Sequence, residues 1–368
     1  MSFTNFGVND QIVKGLKEIG VNTPTAIQRD VLPLLLNESA DLFALAQTGS
    51  GKTLAFSIPL ISKIDSNKGL QALIIVPTRE LAQQVKKAVF KATKYLEHKI
   101  FVEAVYGGTK IEDQEARLQK PTHIIVATPG RLLDLLERNS IQLTKLKYLV
   151  LDEADEMINM GFRPDLNRMI KYMPNEKQVW MFSATLPEEL RSVVKKFLRS
   201  DYHKIETSKT IEINPNIKHC FKRLAASDKF NYLLDFIDSR EGGQGILFVR
   251  TKANAQKLAE ALQEEGISSR ALEGNMGQRD RDKVMRSFKN GASQILVATD
   301  VAARGLDIDD LSFVIHHQLP DQAVFYPHRS GRTARAGKKG LSLALVSPRE
   351  EEDKVRIEKT FGISFEAL

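Results

Sequence analysis

Residues 42–53 read Leu42-Phe43-Ala44-Leu45-Ala46-Gln47-Thr48-Gly49-Ser50-Gly51-Lys52-Thr53. The first four form an apolar run of strand length. Beyond Thr53, the residues Leu54, Ala55, Ile58, Leu60 and Ile61 read as one apolar face of a helix. A strand, a glycine-bearing turn and a helix N-terminus together make a phosphate cradle, because the first helical N–H groups lack intrahelical partners and the macrodipole is positive there. Gly49 and Gly51 let the backbone turn its N–H groups inward, Lys52 supplies a point charge for β/γ oxygens, and Thr53 supplies a hydroxyl for Mg²⁺. The usual pattern G-x-x-x-x-G-K-[ST] opens on glycine, whereas this one opens on Ala46. On its own the stretch could be an ordinary strand-to-helix loop. The candidate cradle is therefore Ala46, Gln47, Thr48, Gly49, Ser50, Gly51, Lys52 and Thr53.

A second stretch decides between the two. Tyr148-Leu149-Val150-Leu151 is an apolar strand, and it runs into Asp152-Glu153-Ala154-Asp155. Acids at a strand end can be a helix N-cap. Coupled to a phosphate loop they read as the other half of a nucleotide triphosphatase, with Asp152 on Mg²⁺ and Glu153 orienting or deprotonating water.

With these two motifs the chain resembles a DEAD-box ATP-dependent RNA helicase along nearly its whole length. The resemblance implies an α/β fold of two RecA-like domains, each a mostly parallel sheet flanked by helices, with ATP and RNA at the interdomain cleft. It implies a Q motif at Thr23-Pro24-Thr25-Ala26-Ile27-Gln28, in which Gln28 reads adenine and the upstream aromatic Phe3 stacks on the base, with Phe6 as a nearby competitor. Val21 stands where the family often has an aromatic. Gln28 has the amide geometry to bond an adenine edge twice, and Phe3 could alternatively staple the first helix. That helix is expected through Ile12, Val13, Leu16 and Ile19 and ends at Gly20; Pro24 is expected near the first turn of the next.

Strands and helices then alternate. Ala72–Val76, Ile124–Ala127, Tyr148–Leu151 and Val179–Phe182 read as strands, Trp180 as core packing, and the alternation argues for a parallel sheet. Ligands of such sheets lie beyond the carboxyl ends of the strands. Polar signatures fall there: Pro77-Thr78-Arg79, Gly107-Gly108, Thr128-Pro129-Gly130-Arg131 and Ser183-Ala184-Thr185. Each alone could be a cap or a turn. Arginine, threonine hydroxyls and close-approach glycines suit phosphodiesters and riboses more than base edges. The resemblance assigns Pro77, Thr78, Arg79, Gly107, Gly108, Thr128, Gly130 and Arg131 to the RNA backbone. It assigns Ser183 and Thr185 to coupling hydrolysis with strand separation.

Glu206–Asn216 lacks apolar periodicity and reads as a linker between domains at 1–205 and 217–368. The second half repeats the architecture at Ile246–Val249, Ala271-Leu272, Ile295–Ala298, Phe313–Ile315 and Leu341–Val346, without a phosphate loop. By resemblance, Gln278, Arg281 and Thr299 touch RNA, Asp307 touches the ATP ribose, Arg332 and Arg335 are arginine fingers, and His328 bridges towards Asp155. A solvated basic face is the plain alternative for the arginine cluster. Glu273 departs from the histidine of many relatives. His316 and His317 read as strand-end bystanders, Glu350–Asp353 as a solvated helix turn, and Cys220 as a small strand residue.

Composition agrees with a soluble two-domain machine: 368 residues, 42% hydrophobic and 27% charged, with a net charge of +7 that favours a polyanionic partner. No apolar run approaches the ~20 residues of a membrane span, the N-terminus reads as carrying no signal peptide, and a single cysteine fits a reducing cytoplasm. The expectation is a cytoplasmic, monomeric, RNA-dependent ATPase using ATP and Mg²⁺ to unwind short duplexes or remodel RNA–protein complexes. An ATP-gated RNA clamp could carry every one of these motifs. A processive DNA helicase would carry different signatures, and a metabolic P-loop enzyme would not need the second domain's arginines.

Overall fold

In a computed structural model of the chain, the described residues are 2–47, 49–207, 213–240, 242–274, 276–303, 308, 311–334 and 338–368, without the side chains of Gln278 and Val301. Thr48, Asp307, Arg335 and the Gln278 side chain thus lie outside what is described. The chain divides into two units, Met1–Lys209 and Thr210–Leu368.

The first unit holds seven strands: β1 (Leu42–Leu45), β2 (Ala72–Ile75), β3 (Val102–Val105), β4 (Ile124–Ala127), β5 (Tyr148–Leu151), β6 (Gln178–Ser183) and β7 (His203–Glu206). Their spatial order is β3-β4-β2-β5-β6-β1-β7. The second unit holds β8 (Ile217–Arg223), β9 (Gly245–Phe248), β10 (Ser269–Leu272), β11 (Ile295–Ala298), β12 (Phe313–His316), β13 (Gly340–Val346) and β14 (Glu366–Ala367), in the order β10-β11-β9-β12-β13-β8-β14. Every strand pairing in both sheets is parallel.

Inner strands such as β1, β2, β4, β5, β9 and β11 are near-continuous apolar runs, as expected where helices cover both faces of a sheet, whereas β8 carries Lys218, His219, Lys222 and Arg223. Alternate residues feed separate cores. In the first unit Leu42, Ala44, Ile74, Val126, Val150, Trp180 and Phe182 pack on one side, and Phe43, Leu73, Ile75, Ile125, Leu149, Leu151 and Met181 on the other. Trp180 is fully buried, as expected, and its indole N–H donates to the Ala40 carbonyl at 3.2 Å. Cys220 is buried on β8.

Pro24 stands next to the first turn of the helix Ala26–Asn37, immediately before its N-cap Thr25, as expected. Other expectations are corrected. The helix Lys52–Lys63 is not apolar on one face alone; Phe56, Ser57 and Pro59 are buried as well, because Ala26–Asn37 packs over its outer side. His316 is no bystander. It is fully buried, bonds Ser342 Oγ at 3.0 Å and stacks on Tyr326 with ring centroids 4.6 Å apart. Glu350 is not solvated either: it pairs with the buried Lys229 at 2.5 Å and accepts from the Leu319 amide at 3.0 Å.

Candidate functional site

Parallel pairing puts the carboxyl ends of all seven strands of a sheet along one edge, and the register of the first sheet sorts the motifs along it. Read from β3, the ends present Gly107-Gly108, then Thr128 after β4, Pro77-Thr78-Arg79 after β2, Asp152-Glu153 after β5, Ser183-Ala184-Thr185 at β6 and the phosphate loop after β1. The RNA-backbone candidates therefore share one half of the edge and the nucleotide candidates share the other.

On the nucleotide half, the loop is tied to the sheet where the Ala46 amide donates to the Ser183 carbonyl at 2.9 Å. Ala46 is not among the positive-φ residues, so this position does not demand the glycine that the usual pattern has. Gly49 and Gly51 do take left-handed φ values, 82° and 94°. Lys52, 6% exposed, reaches back across the loop and donates to the Ala46 carbonyl at 2.8 Å. Gln28 is buried and clasps the loop: Oε1 accepts from the Thr25 amide at 3.0 Å and Nε2 donates to the Gly51 carbonyl at 3.0 Å. An amide has two lone pairs and two N–H groups, so this clasp leaves one of each for a base edge. Phe3 is only 1% exposed within the core that also holds Val8 and Ile12, so it anchors the first helix and offers no open face for stacking. Phe6 is the partly exposed aromatic there.

The acids follow. Asp152 is 2% exposed, and burial pushes its carboxyl pKa up; Lys52 and the Glu153 amide, which donates to Oδ1 at 2.9 Å, pull it down. Asp155 pushes the same way as burial. A desolvated carboxylate suits Mg²⁺, which keeps most of its waters and takes one or two protein ligands. Glu153 has φ 52°, a left-handed conformation at the start of the helix Ala154–Asn159.

Asp155 is fastened to the end of β6. Its Oδ2 accepts from the Thr185 amide at 2.8 Å and the Thr185 hydroxyl at 2.7 Å. Ser183 Oγ accepts from the Asp155 amide at 3.2 Å and donates to the Thr185 carbonyl at 2.7 Å. The acid motif and Ser183-Ala184-Thr185 are thus one hydrogen-bonded piece.

On the other half, Thr78 is the N-cap of the helix Arg79–Ala92, accepting from the Leu81 amide at 3.3 Å. Thr128 occupies the same position before Pro129–Glu137, but its hydroxyl makes no cap bond. Arg79 lies 3.4 Å from Glu80, and Arg131 donates to the Thr109 carbonyl at 3.0 Å. A Cβ added at Gly107 or Gly130 would meet nothing within 4 Å, so packing does not impose glycine and the surface there is open to close approach.

One positioning residue escaped the sequence reading. Gln114 is fully buried on the helix Ile111–Leu118. It accepts from the Tyr106 amide at 2.9 Å and donates to the Tyr106 carbonyl at 2.9 Å and to Thr109 Oγ1 at 2.5 Å. It brackets the Gly107-Gly108 turn, and Arg131 holds the same Thr109 from the other side. The available signal was a lone polar residue on the inward side of an amphipathic helix.

In the second unit, the two described arginine candidates, Arg281 and Arg332, are largely buried, and so is their neighbour Arg329. Arg329 is 1% exposed and grips both Asp300 oxygens, at 2.6 and 2.7 Å, while donating to the Gln318 carbonyl at 2.7 Å. Arg281 is 5% exposed and donates to the Ala302 carbonyl at 2.6 Å, on the helix Asp300–Ala303 that follows β11. Arg332 is 8% exposed, and its carbonyl accepts from the Leu311 amide at 3.1 Å. Thr299 is buried at the end of β11, and His328 lies half-buried on the helix Phe325–Ser330.

Comparison with known proteins agrees with this geometry. Residues 25–193 match the family model for DEAD/DEAH box helicases, and residues 228–337 match the helicase conserved C-terminal domain. The chain is 39% identical over 368 residues to the ATP-dependent RNA helicase DbpA of Bacillus subtilis, covering all of this chain and 76% of that protein. It is 38% identical to the DEAD-box ATP-dependent RNA helicase RhpA of Helicobacter pylori, over 99% of this chain and 73% of that one. Among solved structures, S. cerevisiae Dbp5 bound to RNA and ADP BeF3 superposes with a TM-score of 0.90 at 32% identity, covering 100% of this chain and 95% of Dbp5. Mss116p bound to ssRNA and AMP-PNP gives 0.86 at 28% identity, over 99% and 78% of the respective chains. With its phosphate loop, paired acids and strand-end motifs set along one sheet edge, this chain belongs to the DEAD-box helicase family.

Proposed function

We propose that the protein is an RNA-dependent ATPase that unwinds short RNA duplexes locally or remodels RNA–protein complexes, holding RNA by its backbone without regard to sequence. The observation that carries this reading is the division of one sheet edge into a nucleotide half, in which Asp155 is fastened to Ser183 and Thr185, and a backbone-contact half beside it. Gln28 selects adenine, the loop and Lys52 hold the phosphates, and Glu153 orients the attacking water. Asp152 and Thr53 would hold Mg²⁺, which when bound neutralises phosphate charge. Arg332 and Arg335 of the second unit act on the charge that builds in the transition state as the domains close on ATP and RNA. The setting proposed is cytoplasmic, and the working form a monomer.

The test is the ATPase rate with no nucleic acid, with single-stranded RNA and with DNA of matched sequence, together with displacement of a short duplex. RNA should stimulate and DNA should not, since 2′-hydroxyls distinguish them. Equal stimulation by DNA overturns the RNA reading. Stimulation without displacement, with RNA retained for long periods under ATP, assigns the protein to clamping.

A further inference from the structure

The helix Arg79–Ala92 presents Gln83, Lys86, Lys87 and Phe90 along one stripe, at i, i+3, i+4 and i+7. Facing it are Glu103, Ala104 and Tyr106 of and just beyond the edge strand β3, with Arg117 from the helix Ile111–Leu118. Together they line a groove of about 270 Å³. The carboxylate on its floor is shared: Lys86 Nζ lies 2.9 Å from one Glu103 oxygen and Arg117 Nε 3.1 Å from the other. Lys87 is exposed and has no ion-pair partner among the described residues. Three cations against one carboxylate leave a positive surplus. At the far end Phe90 is 64% exposed, the highest of any large apolar side chain among the described residues.

The other end opens at Tyr106, whose hydroxyl accepts from Gln83 Nε2 at 2.7 Å, and the next residues are Gly107 and Gly108. From Gln83 to Phe90 the stripe runs roughly 10 Å along the helix axis. A cationic track with an aromatic face for a base is the composition of single-strand sites. An acidic peptide would meet the same charge, but the apolar lining comes only from Phe90, Ala104 and Tyr106. We propose that this groove carries single-stranded RNA leaving the Gly107-Gly108 turn, with its phosphates on Lys86, Lys87 and Arg117 and a base stacked on Phe90. The inference rests on the RNA-backbone reading above and extends it down the outer side of the first unit.

The experiment compares a short oligouridylate that spans only the strand-end motifs with the same oligomer lengthened by a few uridines at its 3′ or its 5′ end. Lengthening at one end only should tighten binding. Phe90→Ala should remove about 10-fold of that gain. Lys87→Gln should remove part of it and lower the salt slope on the long oligomer by about 0.7. Both side chains are exposed, so both variants should fold, and their affinity for the short oligomer should stay at the parent value. If the parent ignores the short oligomer as well, the RNA reading itself has failed. If the short oligomer binds and the variants keep the whole length-dependent gain, the groove does not carry RNA.

Discussion

Glu153 holds a left-handed backbone conformation, φ 52° and ψ 50°, which an L-residue adopts at a cost of roughly 1 kcal/mol. Glycine would remove that cost, but it would also remove the carboxylate. The strain and the chemistry therefore sit on one residue, as is common where a site over-determines its backbone. Glu153→Gln keeps the strained backbone and removes only the charge. The expected outcome is that Glu153→Gly melts above Glu153→Gln, by up to about 1 kcal/mol, while both lose RNA-stimulated hydrolysis by roughly 10²–10⁴. Thermal melts and single-turnover hydrolysis on the pair check this. A glycine variant less stable than the glutamine variant would mean that the conformation is not strained in place.

At the level of elements, the Gln28 amide ties the helix Ala26–Asn37 to the phosphate loop. A Cβ at Gly51 would lie 2.5 Å from Gln28 Nε2 and 2.9 Å from Thr25 Oγ1, at a φ of 94° that side chains rarely take. Gly51→Ala should thus break the clasp from the loop side, and Gln28→Ala from the helix side without strain. If Gln28 reads the base, Gln28→Ala should raise the Kd for ATP more than that for GTP, by about 1 kcal/mol's worth, near 5-fold. Gly51→Ala should weaken both nucleotides. Equal losses of ATP and GTP in Gln28→Ala would leave it a clasp and nothing more. The elements that could be read from sequence were those whose residues advertise their place. The inner strands β1, β2, β4 and β5, and the middle of β6, are near-continuous apolar runs because both faces are covered. The edge strand β7, His203–Glu206, has no such run, since it pairs only with β1 and is largely exposed. Strand β14 is two exposed residues, and β3 carries Glu103 in its middle. Charge misled in the same way: Glu350 and Arg329 look like surface residues until Lys229 and Asp300, far away in sequence, are brought against them. The nucleotide motifs were legible because their chemistry is local to a few consecutive residues. Gln114 was not, because its partners lie across a turn.

For the molecule as a whole, the two units should respond differently to acid. His219, His316 and His317 all belong to the second. Burial lowers the His219 pKa to about 4 and, with Lys229 nearby, that of His317 to about 4. Burial, Arg329 and His219 hold His316 well below the usual value. The unfolded chain binds these protons near the ordinary 6.5 and the folded chain does not. Their contribution is therefore full above about 6.5 and is lost as pH falls towards 4. At pH 5 that is roughly 2 kcal/mol for each imidazole near 4. In the first unit burial lowers the His123 pKa, in the same sense, while the raised Asp152 pKa works in the opposite one, since the folded state takes up its proton first. Urea unfolding at pH 7 and pH 5 should show the second unit's transition moving to lower denaturant while the first moves little. A shift confined to the first unit would contradict the assignment. The chain carries one tryptophan and one cysteine, and they fall on opposite sides of the division: Trp180 in the first unit, Cys220 in the second. Each is fully buried, and the thiol's pKa is raised by its burial. Indole emission therefore watches one half, and the pace at which an added thiol reagent finds Cys220 is a clock for the opening of the other, with no label to engineer in either.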